Sequence, residues 1–300
     1  MISIKPKLQI KERGISPKLC NYQLPFYIKI GGEMTDIKLF NQDCLEVFKN
    51  IPSNSIDLII TDCPYHIISG GCSNQAVTIG RYSQCGGVLN KQSNNAAQTY
   101  VKQGKIFEHN DIEFKEWLPE AYRILKPETH CYVMINPRNL KDLWQCAEDA
   151  GFTFQQLIVW DKGNTTPNKW YLNCYELILM LRKGKAKNIN KMGCKNILRI
   201  PNIMRVKQHP TEKPVDLMRV LVENSTQKGE VVMDPFMGVG GVGIACKRTN
   251  RSFIGVEIDE KYFSIAKKRI EENLDYIQVQ KENKNEIEGQ LSLFGEDQSV

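Results

Sequence analysis

Nowhere in the chain do about eighteen apolar residues run together, and the amino terminus holds no apolar centre followed by a small-residue cleavage site. Neither membrane insertion nor export is therefore expected. The ten cysteines form no C-x-x-C pair and no Cys/His group at zinc spacing. His66, His109, His130 and His209 likewise fit no ligand spacing, so no metal is expected. A chain of this size needs no covalent staples, so the thiols are read as reduced and the protein as cytoplasmic. What is present is ample: 300 residues, 41% apolar and 25% charged, can bury a large core as one large domain or two ordinary ones.

The net charge of +6 says little by itself, but its distribution is uneven. From Arg182 to Lys207 there are nine cations and no acid, and the rest of the chain is net acidic. Such an excess can neutralise phosphates and release their counterions; a solvated basic loop is the alternative reading.

Residues 1–33 are basic, carry Pro6, Pro17 and Pro25, and show no sustained period before Gly31-Gly32, so they read as an appendage or an upstream start ahead of Met34. From there to about residue 275, short apolar runs alternate with amphipathic stretches. Strands are expected at 37–40, 56–61, 131–135, 152–160, 175–181, 231–233 and 253–256, and helices at 114–125, 215–222, 241–247 and 262–270. A polar insert from about His66 to Asn110 separates the second strand from the first helix. The alternation implies an α/β fold with a mostly parallel sheet covered on both faces.

Two strand ends hold chemistry. Val231-Val232-Met233 runs into Asp234-Pro235-Phe236-Met237-Gly238-Val239-Gly240-Gly241, a glycine turn opening a helix. Such a turn lets the backbone approach a ligand at the carboxyl ends of the strands. The next strand ends in Glu257, about 20 residues after the glycines, where an acid accepts hydrogen bonds from ribose hydroxyls. The turn is not G-x-G-x-x-G, which disfavours a nicotinamide dinucleotide. At the other strand end, Thr61-Asp62-Cys63-Pro64-Tyr65 follows the apolar run from Ile56 to Ile60.

With these residues in view, the chain resembles the amino-methyltransferases of DNA, which move a methyl group from S-adenosylmethionine to an exocyclic base nitrogen. Their Asp/Asn/Ser-Pro-Pro-aromatic signature corresponds to Asp62-Cys63-Pro64-Tyr65, and their cofactor turn Asp-Pro-Phe-x-Gly-x-Gly to Asp234 through Gly240. A His-Pro-Thr-x-Lys-Pro helix start matches His209 to Pro214. The tetrapeptide precedes the glycine turn, which is the circularly permuted order of the β subgroup. The resemblance covers about Ile37 to Ile270 and implies a Rossmann-like methyltransferase sheet with permuted motif order.

The resemblance also implies roles. The adenine amine is a poor nucleophile, so the Asp62 carboxylate and the Cys63 carbonyl would be fixed acceptors that draw its nitrogen toward tetrahedral geometry. Tyr65 would stack on the flipped base, and Pro64 belongs to the same catalytic tetrapeptide. Cys63 stands where the family usually has proline, so one backbone restraint is lost. Being placed before Pro64, it is read as a main-chain contributor and not a covalent nucleophile. Asp43 and Cys44 would meet the cofactor's adenine, Asp234, Phe236, Gly238 and Gly240 its methionine portion, Glu257 its ribose, and Thr211 and Lys213 its carboxylate.

Adenine-N6 methylation of double-stranded DNA, within a restriction-modification setting, is the expectation, because the tetrapeptide opens with Asp rather than Ser. Cytosine-N4 methylation is the runner-up. A non-catalytic DNA-binding module associated with replication, or an RNA or protein amide substrate, stays open, as does a homodimer. The basic segment 182–207 is expected to contact DNA. After about residue 276 the chain reads as a flexible tail ending in Gln290-Leu291-Ser292-Leu293-Phe294, which resembles the motif that docks bacterial proteins on the replication sliding clamp.

Overall fold

The computed structural model describes residues 26–29, 36–64, 112–166, 171–203, 209 and 212–275. Tyr65, the polar insert, Thr211 and the carboxyl tail with Gln290 to Phe294 lie outside the described residues.

In chain order the elements are β1 (Phe26–Lys29), β2 (Asp36–Phe40), α1 (Cys44–Phe48), β3 (Ile56–Thr61), α2 (Phe114–Ile124), β4 (Leu125–Ile135), α3 (Leu140–Asp149), β5 (Thr153–Thr166) and β6 (Asn173–Arg182). They continue with β7 (Ile197–Arg199), α4 (Val215–Ser225), β8 (Val231–Asp234), α5 (Gly241–Arg248), β9 (Ser252–Val256) and α6 (Glu260–Glu272). The strands form one nine-stranded sheet in the order β1-β2-β9-β8-β3-β4-β6-β5-β7. Pairs from β2 across β9, β8 and β3 to β4 are parallel, whereas β6 runs antiparallel to both β4 and β5.

All six residues of β3 are buried, because helices cover both faces of the sheet at that point. Leu58 and Ile60 pack with Leu217, Val222 and Ile244 on the side of α4 and α5. Ile59, one residue out of phase, packs with Phe48, Trp117 and Ala121 on the side of α1 and α2. From β3 the chain crosses through α2 to β4 on one side, and from β8 through α5 to β9 on the other. The adjacent ends of β3 and β8 are thus a topological switch point, where open α/β sheets bind ligands.

Two expectations need correction. The stretch before residue 34 is not wholly an appendage, because Phe26–Lys29 pairs antiparallel with Asp36–Leu39 as an edge strand of the same sheet. A helix stands at Leu140–Asp149, where none was expected, burying Leu143 and Ala147. The basic segment, expected to contact DNA, is spread along the sheet. Arg182 lies opposite His130, midway along β4, whereas Leu177 lies opposite Ile135, at its end. Arg182, the last residue of β6, therefore lies toward the amino-terminal side of the parallel strands, about 17 Å from Leu177 by strand length.

Lys183 on that side is structural, its Nζ donating to the carbonyls of Tyr122 at 2.6 Å and Leu125 at 2.7 Å. Lys187 is 3.4 Å from Glu230, just before β8, and the Asn190 backbone N–H donates to Asn224 at the end of α4. Arg199 stands at the other edge, where it aligns with Asp161.

Candidate active site

The switch point is assembled from the two strand ends that the sequence singles out. Thr61, the last residue of β3, donates from Oγ1 to Asp234 Oδ1 at 2.9 Å, at the end of β8. The same oxygen accepts the Phe236 backbone N–H at 3.1 Å, which shapes the start of the glycine turn. Asp234 is buried, and burial pushes its carboxyl up to about 7, an effect that the Phe236 and Thr61 donors only partly offset.

The turn needs its glycines for two different reasons. Gly238 has φ +52° with nothing within 4 Å of where a Cβ would stand, so the space above the turn is open. Gly240 has φ +81°, and a Cβ there would meet Ile270 at 3.0 Å and Ala266 at 3.1 Å, so only glycine lets α6 pack this close. Glu257, one residue past β9, accepts the Gly238 N–H at 2.9 Å and the Asp259 N–H at 2.9 Å. Burial pushes its carboxyl up to about 7 as well, with the two backbone donors opposing. Asn41 donates to the carbonyls of Glu257 at 2.9 Å and Ile258 at 3.2 Å. That pins the end of β2, and so Asp43 and Cys44, beside Glu257. Asp43 caps α1 by accepting the Leu45 N–H at 2.8 Å, and Cys44 is buried behind it.

A half-buried Asp62 follows β3, with Cys63 buried and Pro64 half-buried after it. Burial, reinforced by neighbouring Asp62, pushes the Cys63 thiol well above its ordinary value. It therefore has almost no thiolate at neutral pH, consistent with a residue that contributes main chain. Lys213 Nζ lies 2.6 Å from Asp62 Oδ2 and 3.2 Å from Glu176 Oε2. Lys162 Nζ in turn lies 3.2 Å from Glu176 Oε1. Partial burial alone would push the Glu176 carboxyl up, but the two ammonium groups hold it below the usual range. On the other side of Lys213, Glu212 forms a buried ion pair with Arg269 at 2.8 Å. Arg269 also donates to the Val239 carbonyl of the glycine turn at 2.8 Å.

The structure thus brings together Asp43, Cys44, Asp62, Cys63, Pro64, Lys213, Asp234, Phe236, Gly238, Gly240 and Glu257 at one edge of the sheet. Thr61, Lys162, Glu176, Glu212 and Arg269 are additions that sequence reasoning missed. The signal for Glu176 was a lone acid at the head of the apolar run Leu177–Leu181, and the signal for Arg269 a base inside the apolar stripe of α6.

The chain matches the DNA methylase family, which joins N6 and N4 methyltransferases, over residues 56–268 and belongs to it. It is 27% identical to the type II methyltransferase M2.DpnII of Streptococcus pneumoniae over 255 residues, covering 78% of this chain and 89% of that one. To M.HpaI of Haemophilus parainfluenzae it is 28% identical over 265 residues, with coverages of 79% and 74%. The solved M1.HpyAVI–SAM complex superposes with a TM-score of 0.55 at 27% identity, covering 78% of this chain and 99% of that one. PvuII DNA methyltransferase, described as cytosine-N4-specific, shares the fold with a TM-score of 0.57 at 16% identity, over 81% of this chain and 90% of that one. This protein is an S-adenosylmethionine-dependent DNA amino-methyltransferase with the α/β methyltransferase fold.

The site fits that cofactor. The open space over Gly238 admits a ligand against the backbone, and the buried Asp234 and half-buried Glu257 carboxyls suit a cationic, ribose-bearing molecule.

Proposed function

We propose that the protein methylates the N6 amine of adenine in double-stranded DNA. The observation that carries the reading is Asp62, a carboxylate held at the carboxyl end of β3 beside the glycine turn. S-adenosylmethionine supplies an electrophilic methyl on a sulfonium. The chain's part is to hold the amine in line and draw its lone pair out of the ring. Asp62 accepts one amine N–H and the Cys63 carbonyl the other, which opposes the planar geometry that delocalisation favours. The target base reaches these acceptors only when flipped from the duplex, and Tyr65 is the residue proposed to stack on it. Asp234, Phe236, Gly238 and Gly240 surround the methionine portion, Asp43 and Cys44 the adenine, and Glu257 the ribose, with Thr211 at the carboxylate. Cytosine-N4 is the second reading, supported by the shared fold with PvuII DNA methyltransferase.

The test is nucleoside analysis of DNA from cells expressing wild type and D62A. Wild type is expected to give N6-methyladenine, and D62A to lose at least ~10²-fold in turnover while retaining the cofactor. N4-methylcytosine instead, or near wild-type methylation by D62A, refutes the reading.

The pentapeptide from Gln290 to Phe294 supports a second attachment, to a sliding clamp, which would raise the local concentration of enzyme on replicating DNA. L293A with F294A is expected to remove clamp binding and leave methylation of short duplexes unchanged. Equal clamp affinity of the double variant and wild type refutes it.

A further inference from the structure

Asp62, Lys213, Glu176 and Lys162 form a chain of alternating charge drawn from four separate segments: the end of β3, the entry to α4, β6 and β5. The two lysine side chains are only 9% and 10% exposed, so neither is a solvated surface cation. Two acids face two bases, and the network closes without net charge. Its shortest contact, 2.6 Å, is the one to Asp62.

Lys213 is itself held from both directions. On one side Glu176 takes it at 3.2 Å. On the other, its neighbour Glu212 is locked in the buried pair with Arg269, which grips the glycine turn through Val239. Pro214, the N-cap of α4, further restricts the Lys213 backbone. Asp62 needs such support, because the position after it is Cys63 and not the more rigid proline. A carboxylate on a loop samples several rotamers, and an acceptor acts on a transition state only when held in one of them.

We propose that Lys213 is a positioning residue for Asp62, anchored by Glu176 and Lys162, and that it does not serve as the partner of the cofactor's carboxylate. The assignment rests on the methyltransferase reading for its consequence in turnover, but not for its consequence in cofactor binding. If Lys213 served the cofactor, its loss would weaken binding first. If it positions Asp62, its loss lowers kcat and spares affinity.

The experiment compares wild type, K213M, K213R and E176Q by S-adenosylmethionine titration and by steady-state methyl transfer to DNA. K213M is expected to lower kcat at least ~10-fold with cofactor Kd and KM within about threefold of wild type, because only an acceptor felt in the transition state is disturbed. K213R is expected to recover roughly threefold or more of the loss, since a guanidinium can still hold a carboxylate. E176Q leaves Lys213 its contact with Asp62 and is expected to lower kcat about threefold, again at constant affinity. This variant carries the test where K213M does not fold: an unchanged kcat in E176Q overturns the anchor. A cofactor Kd raised about tenfold or more in K213M overturns the proposal and gives the lysine to the cofactor. Wild-type transfer to cytosine refutes the adenine reading and leaves this one standing. Should wild type methylate no DNA at all, the titration decides, with unchanged Kd in K213M supporting the proposal and a tenfold loss overturning it.

Discussion

Thr61 and Asp234, 173 residues apart in sequence, share a buried hydrogen bond of 2.9 Å between the ends of β3 and β8. The bond ties the strand that leads into Asp62 to the strand that leads into the glycine turn. Asp234 Oδ1 also receives the Phe236 N–H, so a single buried oxygen fixes the approach of both loops. This short polar link fixes the separation of the two loops at the level of the backbone.

The Asp234 carboxyl is pushed by burial from an ordinary 3.8 up to about 7. The folded state therefore holds a proton that the unfolded chain has already released. The resulting stability is fully present below about pH 4 and is lost as pH rises to about 7, with an upper bound of about 4 kcal/mol. In D234N the amide oxygen can keep both hydrogen bonds but cannot titrate. The expected outcome is a shallower fall in unfolding free energy between pH 4 and 7, measured by denaturant titration at several pH values. Equal slopes in wild type and D234N would show that this carboxyl does not control the window.

Glu257 is also pushed up to about 7, with burial as the main cause. Below that pH the free protein carries a neutral carboxyl, which is a weaker acceptor for ribose hydroxyls than the carboxylate. Cofactor affinity is expected to rise as pH increases from 6 to 8. E257Q is expected to bind roughly tenfold more weakly at pH 8 and to show a smaller rise, the remainder coming from Asp234. Calorimetric titration checks this, and a rise of equal size in E257Q assigns the pH dependence to other groups.

Much of this arrangement was legible in the chain. The strands β3, β8 and β9 announced themselves as apolar runs bounded by turn residues, and the glycine turn and Glu257 lie together at the carboxyl ends of β8 and β9. What escaped was of two kinds. The helix at Leu140–Asp149 carries apolar residues at Leu140, Leu143, Trp144 and Ala147, a helical spacing present in the sequence but overlooked. The partners of Lys213 could not be read at all, because Glu176 reaches it only once β6 turns back antiparallel to β4. Reversal of that one strand also explains why a contiguous basic run is spread along the sheet. Composition gave the charge, and topology divided it between two edges of the sheet.

That division yields the last prediction. Lys187 and Lys191 are exposed, but they follow the end of β6 at the amino-terminal edge, the former beside Glu230 and the latter after Asn190, which is tied to the end of α4. Arg199 is 84% exposed and stands at the switch-point edge, 3.6 Å from Asp161. Its neighbour in the sheet, Asp161, directly precedes Lys162 of the Asp62 network. If, as proposed, a duplex presents a flipped base to Asp62, it meets this edge, and phosphate neutralisation would fall to Arg199 rather than to Lys187 and Lys191. R199A is expected to weaken DNA binding across sequences and to flatten the salt dependence by about 0.9 in slope, one phosphate's worth of released counterion. K187A with K191A is expected to leave the slope within about 0.3 of wild type by the same accounting. Affinity measured against salt concentration distinguishes the two edges. A larger loss of slope in the lysine pair than in R199A would mean that DNA wraps onto the far edge of the sheet.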